Sequence, residues 1–184
     1  MSSLSTYAYF DHFFSPEELK RIVQLGDGLI HQRAMTNVKQ LNAQIRVTRV
    51  AWINPDLEHK ALFERVGDLI QHLNRQFFNF EIDGLEPLQY TVYESSEGGH
   101  YDWHMDSAAT NPRPRKLSLS LQLSDPADYK GCDLQFQFGA KVETAPRRYG
   151  TAIAFPSFYW HRVTPIGSGT RKALVMWASG PQFK

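Results

Sequence analysis

Cys132 is the one cysteine in the 184-residue chain. A lone thiol excludes an intrachain disulfide and any metal site built from several cysteines, which leaves packing and hydrogen bonds to hold the fold. An excess of either charge is lacking too: 20 Lys and Arg stand against 19 Asp and Glu, a net of +1. Partners bound mainly by charge, nucleic acid or an anionic membrane, are not expected on that balance. Long hydrophobic runs are missing. The longest, Ala173 to Ala178, is far short of the roughly 20 residues of a membrane-spanning helix. The opening Met1-Ser2-Ser3-Leu4-Ser5-Thr6-Tyr7 has neither the basic nor the apolar region of a secretion signal. There is no internal repeat and no Gly/Ser linker. What is present is 42% hydrophobic and 21% charged residues, the balance of a folded globular chain. The length fits one domain of the usual size. The expectation is a single cytoplasmic domain spanning 1–184.

The first half reads as helical. Ser15 caps, Pro16 suits the first helical position and Glu18 completes a capping box. Leu19, Ile22, Val23 and Leu25 or Leu29 then form one stripe, which predicts a helix over 16–30. A second is predicted over 56–78, with Leu57, Ala61, Leu62, Val66, Leu69, Ile70, Leu73 and Phe77 on its apolar side. A polar loop over 31–44 precedes a strand near 45–53. From Leu88 the pattern changes to strands: Leu88 to Glu94, Tyr101 to Asp106, Arg115 to Ser124, Leu134 to Phe138, Tyr149 to Phe155, Trp160 to Thr164 and Lys172 to Trp177. Helices followed by many short strands predict an α+β domain, a double-sheet barrel or jelly roll backed by the N-terminal helices.

Arg115 to Leu123 alternates strictly. Leu117, Leu119, Leu121 and Leu123 take one face and Ser118, Ser120 and Gln122 the other. The leucine face belongs to the core, and the polar face lines either solvent or an interior cavity.

His104-Met105-Asp106 favours the cavity. In an extended segment, residues two apart share a face with backbones about 6.8 Å apart, so both side chains can reach one metal ion. His100 and Asp102 have the same parity and form a rival pair. A third ligand has to come from elsewhere. His12, His31, His59 and His72 lie in the helical half, whereas His161 follows the apolar strand ending at Phe155. Gly167-Ser168-Gly169 reads as a turn, and a hairpin centred near Ile166 would set His161 opposite Arg171. A buried arginine cannot shed its charge and needs an anion. The two strands carry no carboxylate, so a small dicarboxylate bound beside the metal would supply it. Two histidines and a carboxylate with open positions are the usual arrangement of non-haem Fe(II) oxygenases, though zinc or manganese fits the same ligands.

On these residues the chain resembles the Fe(II)/2-oxoglutarate-dependent dioxygenases, in their prolyl 4-hydroxylase-like branch. The resemblance covers about 88 to 178, and Asp11 to Leu25 is similar to the family's N-terminal helix. It implies a double-stranded β-helix with His104, Asp106 and His161 as metal ligands. Arg171 would hold the far carboxylate of 2-oxoglutarate. Tyr93 and Gln122 would contact the cosubstrate, and Trp177 stands where many members carry a tryptophan. Cys132 departs from the pattern, replacing what is commonly a second glycine, and the loop between Tyr93 and His104 is longer than in many relatives. The resemblance also implies Fe(II) and 2-oxoglutarate as cofactor and cosubstrate, ascorbate as a reductant, and O2-dependent hydroxylation yielding succinate and CO2. The implied substrate is a prolyl residue in a peptide or protein, with another amino-acid side chain or a small molecule second. Loops 31–44 and 94–100 would exclude water, and Arg46 and Arg49 would face either solvent or a substrate groove. Two readings from other classes stand beside this one: a cupin-like metal protein that binds without oxidising, and a zinc hydrolase with Asp102 as base.

Overall fold

The Ser15 hydroxyl accepts the backbone N–H of Glu18 at 3.1 Å, and the Glu18 carboxylate accepts the backbone N–H of Ser15 at 2.7 Å. This reciprocal cap starts α1 (Pro16–Gly28) where the sequence places it. The helix ends short of 30, with Leu29 as its C-cap and Ile30 exposed. The second helix departs further from the expected 56–78. α2 runs Lys60–Leu73, and Asn74–Phe78 continue as a π turn. Leu57 lies ahead of the helix, exposed. A π turn takes more residues than an α turn and breaks the apolar stripe. Phe77 therefore faces solvent, while Phe78 packs on the core. The computed structural model describes residues 7–34, 42–107 and 111–182. Part of the predicted 31–44 loop, residues 35–41, lies outside the described residues.

The strands in the first half of the chain are β1 (Ala8–Phe10), β2 (Gln32–Arg33), β3 (Arg46–Val47), β4 (Arg49–Ile53), β5 (Gly84–Leu85), β6 (Leu88–Glu94) and β7 (His100–His104). Those that follow are β8 (Arg115–Gln122), β9 (Tyr129–Gly131), β10 (Leu134–Phe138), β11 (Lys141–Thr144), β12 (Ala152–Pro156), β13 (His161–Val163) and β14 (Ile166–Ser179). One sheet runs β1-β12-β8-β14-β6-β4-β2, with β5 and β9 added on β14; the other runs β11-β10-β13-β7-β3. All pairings are antiparallel. The architecture is the expected double-stranded β-helix backed by helices.

Two details differ from the sequence reading. The predicted strand 45–53 is broken at Thr48, so that β3 pairs with β7 in one sheet and β4 with β6 in the other. The predicted hairpin around Ile166 does not form. β13 pairs with β10 and β7, whereas β14 pairs with β6, β8 and β9. The chain changes sheet at Thr164-Pro165. Gly167-Ser168-Gly169 lies inside β14, where Gly169 adopts φ +77° and a Cβ would sit 2.0 Å from the carbonyl oxygen of Asp128. Those glycines serve a close backbone approach instead of a turn.

The strict alternation of β8 divides the interior in two. Leu117, Leu119, Leu121 and Leu123 pack with Leu19, Ile22, Val66, Leu69 and Leu73 beneath the helices. Ser118, Ser120 and Gln122 are buried on the opposite face, which the second sheet covers. The apolar layer between the sheets is made of Leu134, Phe136, Phe155, Val163 and neighbours. The helix face meets the large sheet closely at Gly26, where a Cβ would lie 2.3 Å from the Tyr90 ring. Tyr90 cannot easily yield, because its hydroxyl donates to Asp27 at 2.8 Å. Helix propensity alone favours Gly26→Ala by about 1 kcal/mol. The contact reverses the sign: overpacking should destabilise by about 1–3 kcal/mol. Thermal unfolding should show the variant melting several degrees below the parent.

Candidate metal centre

His104 ends β7 and pairs directly with His161, which begins β13. The two histidines are braced by the same device. His104 Nδ1 lies 2.8 Å from the carbonyl oxygen of Asp102, and His161 Nδ1 lies 2.9 Å from that of Tyr159. A carbonyl only accepts, so each Nδ1 carries the proton and each Nε2 is left with its lone pair. Both Nε2 atoms approach Asp106, at 3.7 Å for His104 and 3.6 Å for His161. One ligand atom from each of the three residues lies within 4.8 Å of the others. Asp106 follows β7 and is fixed by its backbone N–H on the Ser157 carbonyl at 2.9 Å. The Ser118 hydroxyl donates to its Oδ2 at 2.7 Å and lies 2.8 Å from the Ser157 hydroxyl.

The rival pair is excluded by a bulge. Between His104 and Tyr101 strand β7 spends three steps where β13 spends two, from His161 to Val163. The extra residue breaks the alternation, so Tyr101 and His104 both turn inward, their rings stacked at 3.5 Å. Asp102 is exposed and accepts the N–H of Trp103. His100 meets the backbone carbonyl of Gly98. Neither joins the cluster, and Asp102 is not placed to act as a hydrolytic base.

Burial drives the His104 pKa down to about 3, with His161 adding to the effect. Burial would raise Asp106, but the two histidines and Ser118 hold it down at about 2. A neutral imidazole and an ionised carboxylate are the forms that bind a metal.

Arg171 is 2% exposed. Its Nε and one terminal nitrogen donate to Gln122 Oε1 at 3.2 and 2.9 Å, and its guanidinium lies 5.5 Å from the Tyr93 ring. Among the described residues no carboxylate pairs with it. Burial lifts the Tyr93 hydroxyl to about 12 against the pull of Arg46 and Arg171, so it remains a donor. Tyr93, Arg171 and Trp177 line one chamber with His104, Asp106 and His161. Gln122 does not line it. It sits behind Arg171, its amide donating to the Pro146 carbonyl at 3.1 Å.

The chamber holds residues that the sequence reading passed over. Gln89 and Thr91 point inward from β6, and their alternation with Leu88, Tyr90 and Val92 was a usable signal. Arg46 lines the chamber with its guanidinium 4.4 Å over Tyr101 and donates to Gln89 at 2.9 Å. Arg49 faces away to Glu97 and Glu94. The break at Thr48 separates them.

The donor set fits Fe(II): two imidazole nitrogens and one carboxylate, with positions left open. Two buried groups fit a carboxylate-bearing cosubstrate and an ordered metal ligand. They are the Arg171 guanidinium and the indole N–H of Trp177, which has no hydrogen-bond partner among the described residues.

Residues 88–179 match the family model of the 2OG-Fe(II) oxygenase superfamily. A PKHD-type hydroxylase of Synechococcus sp. (strain CC9902) is 40% identical over 88 residues, 47% of this chain and 39% of that protein. One from Acaryochloris marina is 38% identical over 93 residues, 50% of this chain and 42% of that protein. The chain spans about two-fifths of the length of these curated relatives. A Pseudomonas putida prolyl-4-hydroxylase has the same fold, with TM-score 0.76 at 19% identity over 96% of this chain and 94% of that one. So does a Trichoplax adhaerens prolyl hydroxylase in complex with a hypoxia inducible factor peptide fragment. Its TM-score is 0.74 at 21% identity, over 94% of this chain and 83% of that one. The family's metal is Fe(II) and its cosubstrate 2-oxoglutarate. The matched segment is half of the chain and contains the metal cluster, Tyr93, Gln122, Arg171 and Trp177, so the chain belongs to the 2OG-Fe(II) oxygenase superfamily.

Proposed function

We propose that this chain is an Fe(II)- and 2-oxoglutarate-dependent hydroxylase acting on a prolyl residue of a peptide or protein. The observation that carries the reading is the meeting of His104, Asp106 and His161 in the same chamber as a buried arginine that faces no carboxylate among the described residues.

In this reading the three ligands hold the iron and Arg171 grips the far carboxylate of 2-oxoglutarate. Gln122 keeps the guanidinium aimed by accepting two of its N–H groups, and the Tyr93 hydroxyl donates a hydrogen bond to the cosubstrate. When bound, iron and 2-oxoglutarate supply the oxidising chemistry: O2 is consumed, succinate and CO2 form, and one oxygen atom enters the substrate. The protein's part is placement and dryness. Leu134, Phe155, Val163 and Val175 line the chamber with apolar surface, which limits water near the reacting centre. Within the segment 94–100, Ser95–Glu97 form a short 3-10 turn pinned by Arg49 on Glu97. A peptide substrate is supported by the family resemblance and by exposed apolar side chains beside the ligands. Met105 lies between His104 and Asp106, Trp160 precedes His161, and both are exposed.

Proline-containing peptides incubated with Fe(II), 2-oxoglutarate and O2 should gain one oxygen by mass spectrometry, with matching succinate. Succinate without peptide oxidation across a broad panel would move the substrate to another side chain or a small molecule.

His161→Ala should abolish iron-dependent turnover while the metal-free protein melts near the parent temperature, and Asp102→Ala should leave turnover intact. Activity surviving in the first variant, or lost in the second, would overturn the ligand assignment.

Arg171→Ala should weaken 2-oxoglutarate binding by about two to three powers of ten. An unpaired buried carboxylate costs about 3–5 kcal/mol, and each tenfold is about 1.4 kcal/mol. Arg171→Lys should fall between, keeping the charge without the fork. Calorimetric titration of the metal-loaded, O2-free protein reads both, and parent-like binding by Arg171→Ala removes the cosubstrate assignment.

A further inference from the structure

Asp106 is held from more than one side. Ser118 donates to it directly. Trp177 lines the same chamber as Asp106, and its buried indole N–H has no hydrogen-bond partner among the described residues. An indole in that position works only if its ring cannot swing. Trp177 is paired with Ser118 in the sheet, so its backbone is fixed; what fixes the ring lies on the outer side.

There the Arg115 guanidinium lies 3.9 Å over the Trp177 ring. Arg115 is in turn held in a fork. Its Nε and a terminal nitrogen donate to the two carboxylate oxygens of Glu86, at 2.8 and 2.6 Å. Glu86 is fixed as well: its backbone N–H donates to the Trp177 carbonyl at 3.0 Å, and the Ser179 hydroxyl donates to its Oε1 at 3.1 Å. Trp52 packs on the same indole, ring centroids 6.1 Å apart. Arg115 does not line the chamber, so its route to the metal centre runs through the indole. A planar guanidinium stacks on an indole face with little freedom left, and a cation over the ring makes the N–H a better donor.

We propose that Arg115, locked by Glu86, is a positioning residue of the metal centre: it fixes the Trp177 indole in the chamber wall it shares with Asp106, at the strand position opposite Ser118. This rests on the reading that His104, Asp106 and His161 hold the metal. Groups that orient a metal ligand commonly contribute 10- to 100-fold to metal affinity. Arg115 acts one residue further out, so the lower end applies.

The test is Mn(II) binding to the metal-free full chain, followed by the electron paramagnetic resonance of free Mn(II), with no turnover involved. Arg115→Met should bind about tenfold more weakly than the parent, Arg115→Lys should recover part of the loss, and Trp177→Phe should lose about as much as Arg115→Met. In the Trp177→Phe background, Arg115→Met should add nothing, because residues acting in series are not additive. Should Arg115→Met not fold, Glu86→Gln carries the same comparison. Parent-like binding by the Arg115 or Glu86 variants overturns the clamp, and so does an equal loss with and without Trp177. A parent that binds no Mn(II) overturns the metal reading, and the clamp with it.

Discussion

A charge buried between two sheets must meet its complement there, because its desolvation costs several kcal/mol per ion. The inward face of the large sheet is arranged around that constraint. Arg171, 2% exposed, is steadied by Gln122 on the neighbouring strand β8. Asp106 is steadied by Ser118 two rungs along the same face. Both supports come from the polar side of one strand whose other side is four leucines. The chamber and the core are therefore two consequences of a single alternation.

That division separates what holds the molecule together from what gives it chemistry. The helices seal the leucine face, and the close contact of Gly26 with Tyr90 sets their distance. The second sheet closes the polar face and brings two histidines from adjacent strands into register. Each imidazole is locked by a carbonyl two residues back in its own chain. The two histidines are thus each ordered by local backbone geometry, whereas Asp106 is held from Ser157 and Ser118.

Much of this was legible in the sequence. The capping box at Ser15 and Glu18 and the alternation of β8 follow from side-chain chemistry and period, whereas the family resemblance is what sets His104 and Asp106 apart from the rival His100 and Asp102. What escaped was anything decided by where the chain changes sheet. Arg171 was placed correctly in the chamber but for the wrong reason. It lies across from Tyr93 in the large sheet, and not opposite His161, because Thr164-Pro165 carries the chain from one sheet to the other. Arg46 and Arg49 looked like neighbours on one strand, and a break at Thr48 sends one into the chamber and the other to Glu97. The end of α2 was misread because a π turn resets the period that the eye follows. Gln122, expected to contact the cosubstrate, lies outside the chamber and behind Arg171. Such features are set by long-range pairing, which local patterns do not encode.

The bulge in β7 has an evolutionary side. Three steps of β7 span the distance that two of β13 cover, and that one-residue surplus is what turns His104 inward. In a flat strand Tyr101 and His104, three residues apart, would take opposite faces, so losing the bulge without changing the length would turn one of them out of the chamber. The β10–β11 hairpin carries no such parity, since Gly139 bends it in open space with no neighbour within 4 Å of a Cβ. Length variation over generations should therefore collect at that hairpin, while in β7 the bulge itself is heritable information as binding as the ligands it presents.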